Sequence, residues 1–520
     1  MATPDFFRSR IEAMIDLRDP LAVLATRLPW QQIEASIGAK FERQYRAGEV
    51  LQGQDLFGTM QALVGVGVSS SGRPKLPIRL MASLLYLKHC FNVSDEVLVV
   101  SWSQNILWQF FSGMAYYEHR LPCDATQVGR FRKELGEEGL ELLLKATIET
   151  AVAIKAIKPV EFERLIVDST VQEKAIAHPT DSRLLERARH KVVGAAKRAG
   201  LELKQTFVKE GRELSRRAGG YAHAKQFGRM RRVIKRQRTI LGRVIRDVHR
   251  KTALCAAMAG DVKAGAALAR LNVWVSSAQR IQAQQRHDKN KLYALHAPEV
   301  ECIGKGKATK PYEFGVKVGV AVTYKQGLLV GVRSFTGNPF DGHTLAEQME
   351  QTTNLLQDIG VKPKQVVVDL GYRGKDVDAA NPGLEIIHRG RYKSLTTLQR
   401  KWLKRRQAVE PAIGHLKSDN RMDRCWLSGA TGDALHALSC ALGYNPALAD
   451  EGGGTSGPQG SFVVRAFCAH SGPFYDSIHA LINACANRKS VRICVAVSNR
   501  VVNGKNEFCR ADSLFNSIMK

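Results

Sequence analysis

A chain of 520 residues with 44% hydrophobic residues has room for two to four domains around at least one large core, and its composition is ordinary for a folded soluble protein. Its charge is unusual: 77 Lys+Arg against 49 Asp+Glu leave +28, which calls for a polyanionic partner, either nucleic acid or an anionic membrane. A membrane is excluded as the better reading, because no apolar run reaches the roughly 18 residues of a spanning helix and the first residues carry no signal-peptide segment. The ten scattered cysteines, with no CxxC pair, read as reduced thiols in a cytosolic protein, with neither a zinc site nor a disulfide framework indicated.

In chain order, Pro29–Glu34 predicts a short helix. Pro77 to Phe111 predicts strongly apolar helices broken near Asn92–Ser94, with Ser94 or Asp95 as the second cap. A third helix begins after Asp124, with Thr126 near its cap, and ends at Gly136; a fourth runs through 137–157. Short helices with tight turns suit a helix-turn-helix-like bundle, and Arg130, Arg132 and Lys133 are expected on an exposed face, there either to meet phosphate or simply to solvate the helix.

The pattern then changes. Phe162–Thr170 predicts a strand closed by Asp168. Residues 183–250 hold 21 Lys+Arg and 5 Asp+Glu, so +16 of the net charge sits in 68 residues. Val233, Ile234, Leu241, Val244, Ile245 and Val248 keep helical spacing, while Arg229, Arg232, Arg236 and Arg243 fall elsewhere on the same helix. Amphipathic helices with a cationic face are suited to tracking a phosphate backbone.

From about Lys291 the composition is again that of a core. Gly315–Val322 and Leu328–Phe335 predict a hairpin turning at Lys325-Gln326-Gly327; His343–Ile359 predicts a helix closed by Gly360. Gln365–Asp369 is a short apolar strand that also ends in an aspartate, and Leu384–His388 is one more strand. Thr397–Lys417 predicts one helix capped by Thr396 or Thr397, with Leu398, Trp402, Val409, Ile413 and Leu416 on its apolar side. Arg406, Glu410 and Lys417 lie within about 40° of one another around it. By itself that line reads equally as a surface ion-pair series. The whole is an α/β protein: a mixed sheet with a basic helical insertion. Ala430–Tyr444 is helical, and 446–460 has the composition of a linker.

Two aspartates ending strands and a glutamate on a late helix, in a strongly basic chain, form a candidate site at the strand ends. Carboxylates without sulfur or imidazole suit Mg²⁺ or Mn²⁺, and two such ions can activate a water or a 3′-hydroxyl in phosphodiester chemistry.

Val167-Asp168-Ser169-Thr170, Val368-Asp369-Leu370-Gly371-Tyr372 and Arg406-x3-Glu410-x6-Lys417 together resemble the signature of the DDE transposases of bacterial insertion sequences. His296–Glu301, Lys305-Gly306-Lys307, Tyr312–Gly315 and Asn338–Thr344 are also similar, and the likeness is closest to the insertion sequence five group. The resemblance spans most of residues 60–445. It implies an RNase H-like core, with residues 1–157 as the N-terminal helical DNA-binding domain, 158–180 and 290–445 as the catalytic core, and 181–289 as the insertion. It implies Asp168, Asp369 and Glu410 as the catalytic, metal-holding residues for two Mg²⁺ or Mn²⁺ ions. Arg406 and Lys417 would contact the transposon end. Lys305 and Lys307 are phosphate contacts or an exposed basic loop, and Arg229, Arg232 and Arg236 are DNA contacts on the insertion. His343 stands either behind the metal ligands or merely at its helix start.

Partners implied are terminal inverted repeats and target DNA, held by a homodimer. The family's tyrosine three residues before the arginine is Leu403 here, and Tyr392 is a poor substitute. Rival readings are an inactive, transposase-derived DNA-binding protein and an RNase H-like nuclease without strand transfer. The likeness fades after Gly443-Tyr444-Asn445. A back-translation of residues 447–451 read one base later spells Arg-Trp-Leu-Met-Arg, so 446–520 is expected to be frameshifted sequence.

Overall fold

A computed structural model describes residues 8–41, 50–54, 60–64, 75–255, 262–285, 287–304 and 310–448. Lys305, Lys307 and the tail beyond 448 lie outside the described residues.

The N-terminal part is helical: α1 (Pro20–Arg27), α2 (Trp30–Gly38), then a two-stranded hairpin β1 (Val50–Gln54) and β2 (Met60–Val64). There follow α3 (Ile78–Cys90), α4 (Asp95–Gln104), α5 (Ile106–Phe111) and α6 (Ala125–Ala153). Ser94 caps α4, accepting from the Val97 N–H, and Asp124 rather than Thr126 caps α6. Gly136 interrupts α6 with φ 70°, a left-handed value that glycine adopts without steric cost, so the expected break is a kink inside one long helix. Arg132 is not on the exposed face: its side chain is buried and pairs with Asp95 at 3.7 Å, leaving Arg130 and Lys133 outside.

The sheet begins with β3 (Arg164–Glu173). Four helices separate it from the next strand: α7 (Asp181–Arg198), α8 (Val208–His223), α9 (Phe227–Cys255) and α10 (Val262–Ala283). Then come β4 (Glu301–Gly304), β5 (Tyr312–Thr323), β6 (Leu329–Phe335), α11 (Asp341–Leu355), β7 (Gln365–Val367), α12 (Lys375–Ala380) and β8 (Glu385–Ile387). The chain ends its described course with α13 (Thr397–Lys404), α14 (Val409–Ser418) and α15 (Gly429–Leu448).

The strands lie side by side in the order β6, β5, β3, β7, β8, and β4 continues the far edge of β5 beyond β6. β3 pairs antiparallel with β5 and parallel with β7, which pairs parallel with β8. The sheet is therefore mixed, and β3 is the strand at which its two halves meet. Asp168 does not end β3 but sits at its middle, opposite Val320. The segment after it, Ser169-Thr170-Val171-Gln172, is rich in β-branched residues and pairs in register with Gly319 to Val316. Gly315 is required at the end of that register, since a Cβ there would stand 1.9 Å from the Gln172 carbonyl oxygen.

α11 covers one face: Gln348 lies over Gly319 and Gly331. α15 covers the other, where Gln172 donates to the Asp433 carbonyl. Helices α3 and α6 pack on α15, so one apolar core runs from Ile11 through Tyr86, Leu143 and Val320 to Tyr444. The insertion has cores of its own, the larger formed by Leu184, Val192, Leu241, Val244, Ile245, Val248, Leu271 and Val275. Among the described residues, no helix is long and apolar enough to cross a membrane, and Cys90, Cys123, Cys302, Cys425 and Cys440 are free thiols.

Candidate active site

Three elements deliver the three acidic residues. Asp168 comes from the centre of β3. Asp369 follows β7 by two residues, at the start of a 3-10 turn over Leu370–Tyr372. Glu410 lies in the first turn of α14, where a carboxylate interacts favourably with the helix dipole.

The expected single helix 397–417 is two helices. α13 starts with a capping box in which Thr396 accepts from Gln399 N–H and Gln399 reaches back to the Thr396 N–H. It gives way to a 3-10 turn over Arg405–Ala408 before α14. Pro411 supplies the reason: it has no N–H for the Gln407 carbonyl, and its ring crowds that carbonyl. Leu398 is 56% exposed rather than packed, whereas Val409 and Leu416 are fully buried.

That 3-10 turn carries Arg406 into the middle of the acids. Its guanidinium is 3.4 Å from Asp168, 4.0 Å from Asp369 and 4.0 Å from Glu410. Three residues far apart in sequence thus gather around one cation. Asp168 is the most enclosed of them; Asp369 and Glu410 are each more than half exposed. Burial pushes the Asp168 carboxyl above the usual aspartate range. The Ser169 N–H at 2.8 Å and Arg406 oppose that shift, and the Asp369 and Asp341 charges add to it.

Reading the sequence missed a second polar group at the edge of this site. Asp341, in the first turn of α11, accepts from the Ser169 hydroxyl at 2.9 Å and pairs with Lys317 at 2.9 Å. Lys317 also donates to the Pro339 carbonyl at 2.6 Å. The adjoining Tyr372 is buried with its hydroxyl near Ser169 and Thr344, and burial raises its pKa well above the usual tyrosine value. Gly371 allows the approach: a Cβ there would lie 2.7 Å from Asp341 Oδ2. These groups tie the loop that presents Asp369 to the start of α11 and to β3. The only sequence signal was the Asn338–Thr344 segment, whose aspartate had no role until β5 and β3 were in register.

His343 does not join the acids; it pairs with Asp376 at 2.9 Å on the surface. Lys417 lies two turns along α14 from Glu410, partly buried. Arg229 and Arg232 are exposed on α9, but Arg236 is engaged by Glu210 at 2.7 Å. As the side chains stand, no three His, Cys, Asp or Glu among the described residues converge closely enough to hold an ion. The guanidinium fills the space between the acids.

Comparison with known proteins agrees on a family. Residues 9–134 match the model of a transposase domain (DUF772), and residues 278–445 match that of the transposase DDE domain. The second match stops where the sequence likeness fades. The chain is 39% identical over 223 residues to an uncharacterized protein, ORF8 in the nfe locus of Rhizobium meliloti, covering 43% of this chain and 95% of that protein. No solved structure matches. Both models describe parts of enzymes that move DNA. The chain belongs to the DDE transposases.

Proposed function

We propose that this transposase belongs to the insertion sequence five group, cleaves DNA at the ends of its element and joins the freed ends to target DNA. The reading rests on one observation: Asp168, Asp369 and Glu410, from a central strand, a strand end and a late helix, meet around the Arg406 guanidinium. The mixed strand order about β3 supports an RNase H-like core, divided from the helical region 1–157 and interrupted by 181–289.

The donor set suits a hard divalent cation. It is all oxygen, carries three acidic groups, and includes a partly buried aspartate whose charge is disfavoured by its surroundings. Asp168, Asp369 and Glu410 would hold Mg²⁺ or Mn²⁺, in the two-ion form of this chemistry, once Arg406 turns outward. Such ions supply an activated hydroxyl and stabilise the leaving oxygen. The protein contributes no covalent nucleophile: water breaks the phosphodiester at the element end, and the freed 3′-hydroxyl then displaces a 3′-oxygen in the target. Arg406, swung from the acids, and Lys417 would hold phosphates of the end. Arg229 and Arg232 extend the contact over the insertion, and a homodimer holds the two ends together.

The test is a strand-transfer assay on a duplex ending in the element's inverted repeat, with Mg²⁺. Product joined to target, absent for Asp369→Ala, is the expected outcome. Cleavage without joining would make the protein a nuclease, and binding alone an inert derivative. Joining that survives Asp369→Ala would remove the proposed site.

A further inference from the structure

On α9, Arg232, Lys235, Thr239, Arg243, Arg246 and Arg250 are all exposed. At 3.6 residues per turn they fall within about 80° of one another and run about 27 Å along the helix. The opposite side of α9 is apolar and buried: Val233 against Leu214 of α8, and Leu241, Val244, Ile245 and Val248 against α7 and α10. The insertion's own packing therefore fixes which way the cations face.

Three carboxylates of the insertion are engaged away from this stripe. Between residues 183 and 250 there are five, and three of them pair with cations elsewhere: Glu186 with Arg189 at 2.6 Å, Glu210 with Arg236 at 2.7 Å and Glu213 with Arg217 at 3.7 Å. Asp247 pairs with Arg250 at 3.1 Å, at the end of the line, and its other oxygen accepts the Lys204 N–H at 2.7 Å. Among the described residues, Arg232, Lys235, Arg243 and Arg246 have no carboxylate within ion-pair distance. A face that merely keeps a helix in water gains nothing from such sorting. A face that must remain cationic for a polyanion does.

The stripe leads to a cleft of about 730 Å³ lined by Arg243, Arg246, Arg250 and the single carboxylate Asp247 of α9 together with Lys204 and Phe207. Phe207 holds a left-handed backbone, φ 51°, that is uncommon for a bulky residue, and it begins α8 facing that cleft. The chain is thus bent to form the second wall.

We propose that the α9 stripe Arg232–Lys235–Arg243–Arg246 is a phosphate-tracking surface for a DNA duplex, and that Arg236, held by Glu210, lies outside it. A duplex presents a negative charge about every 1.7 Å of its axis, so a line of cations about 21 Å long meets several phosphates without reading bases. The proposal rests on the reading that DNA is the partner of this transposase, and assigns the interaction to particular side chains.

Fluorescence anisotropy of the full chain on a labelled duplex, in EDTA, tests it between about 50 and 200 mM salt. The variant is Arg232→Gln, Lys235→Gln, Arg243→Gln and Arg246→Gln together. Its plot of log affinity against log salt is expected to be shallower by about three to four units, roughly one for each phosphate that the variant leaves unneutralised. A control with the same charge change, Lys155→Gln, Lys158→Gln, Lys362→Gln and Lys364→Gln, should keep the wild-type slope. These four lysines are exposed and lie outside the insertion. If the quadruple variant folds poorly by circular dichroism, the pair Arg243→Gln and Arg246→Gln should remove about two units.

A stripe variant with the wild-type slope, or a control whose slope falls as much, overturns the proposal. So does tighter, stripe-dependent binding of duplex RNA. The broader reading fails separately: wild-type protein that binds no duplex would remove DNA as the partner, whereas an unaltered stripe variant beside a joining-defective Asp369→Ala would remove only the stripe.

Discussion

The carboxylate site and the α9 stripe handle charge in opposite ways. At the site, acids from three distant elements surround one cation, so negative charge is concentrated and only partly offset by Arg406. On α9, cations are lined up, and Glu186, Glu210 and Glu213 are engaged by residues off the line, while Asp247 meets only its last cation, Arg250. On the proposed reading, the first arrangement gives a small cation a place to take over and the second gives a polyanion a surface to follow. A DNA-joining enzyme needs both, and their separation implies that chemistry and affinity can be lost independently.

The sharpest way to break that comparison is Asp168→Asn. It removes one of the three proposed charged ligands without touching the insertion. Cleavage should fall by about three orders of magnitude or more, as expected when a member of a catalytic set is removed. The salt dependence of duplex binding should stay that of wild type. A parallel loss of binding would show that the acids and the stripe do not act separately.

The two regions also differ in how far they could be read before the fold was known. The stripe is local: one helix's periodicity places its cations, so an amphipathic helix with a basic face was evident. The pairing of Arg236 was not legible, because Glu210, which engages it, comes from a different helix. The site is non-local. Asp369 announced itself as a polar residue ending an apolar run, and Glu410 by its spacing from Arg406. Asp168 was found for a partly wrong reason, because β3 continues past it once Gly315 and Gly319 lie alongside. Asp341 stood out only as part of the Asn338–Thr344 segment and Lys317 not at all, since they meet only when α11 and β5 are assembled. The same holds for Arg132, whose burial depends on Asp95 of a neighbouring helix.

Arg406 sharpens the comparison at intermediate scale, because it belongs to both kinds of region: a cation by type, placed among acids. If its guanidinium occupies the ground that a divalent ion must take, Arg406→Gln should raise the affinity of DNA-free protein for Mn²⁺, read by electron paramagnetic resonance. The gain should be about five- to tenfold, near 1 kcal/mol, which is modest because Asp369 and Glu410 are well exposed and screened. Unchanged or weaker Mn²⁺ binding would mean that the arginine does not compete with the ion.

The smallest effect decides which influence governs Asp168 when no ion is bound. Burial, with Asp369 and Asp341, raises its pKa; Arg406 and the Ser169 N–H pull it down; the net direction is upward. A carboxyl whose folded pKa exceeds its unfolded one costs the folded state stability while ionised, and that cost disappears as pH falls through the raised value, where the folded state takes up a proton first. Asn is neutral at every pH. In EDTA, then, Asp168→Asn should melt above wild type at neutral pH, by a margin that narrows as the solution is acidified through the raised pKa. Saturating Mn²⁺ should stabilise wild type more than the variant, because the ionised carboxylate then has its partner. If the margin instead has wild type ahead at neutral pH and losing ground in acid, the Arg406 pairing outweighs burial, and the acids are held together by the arginine rather than kept poised for an ion.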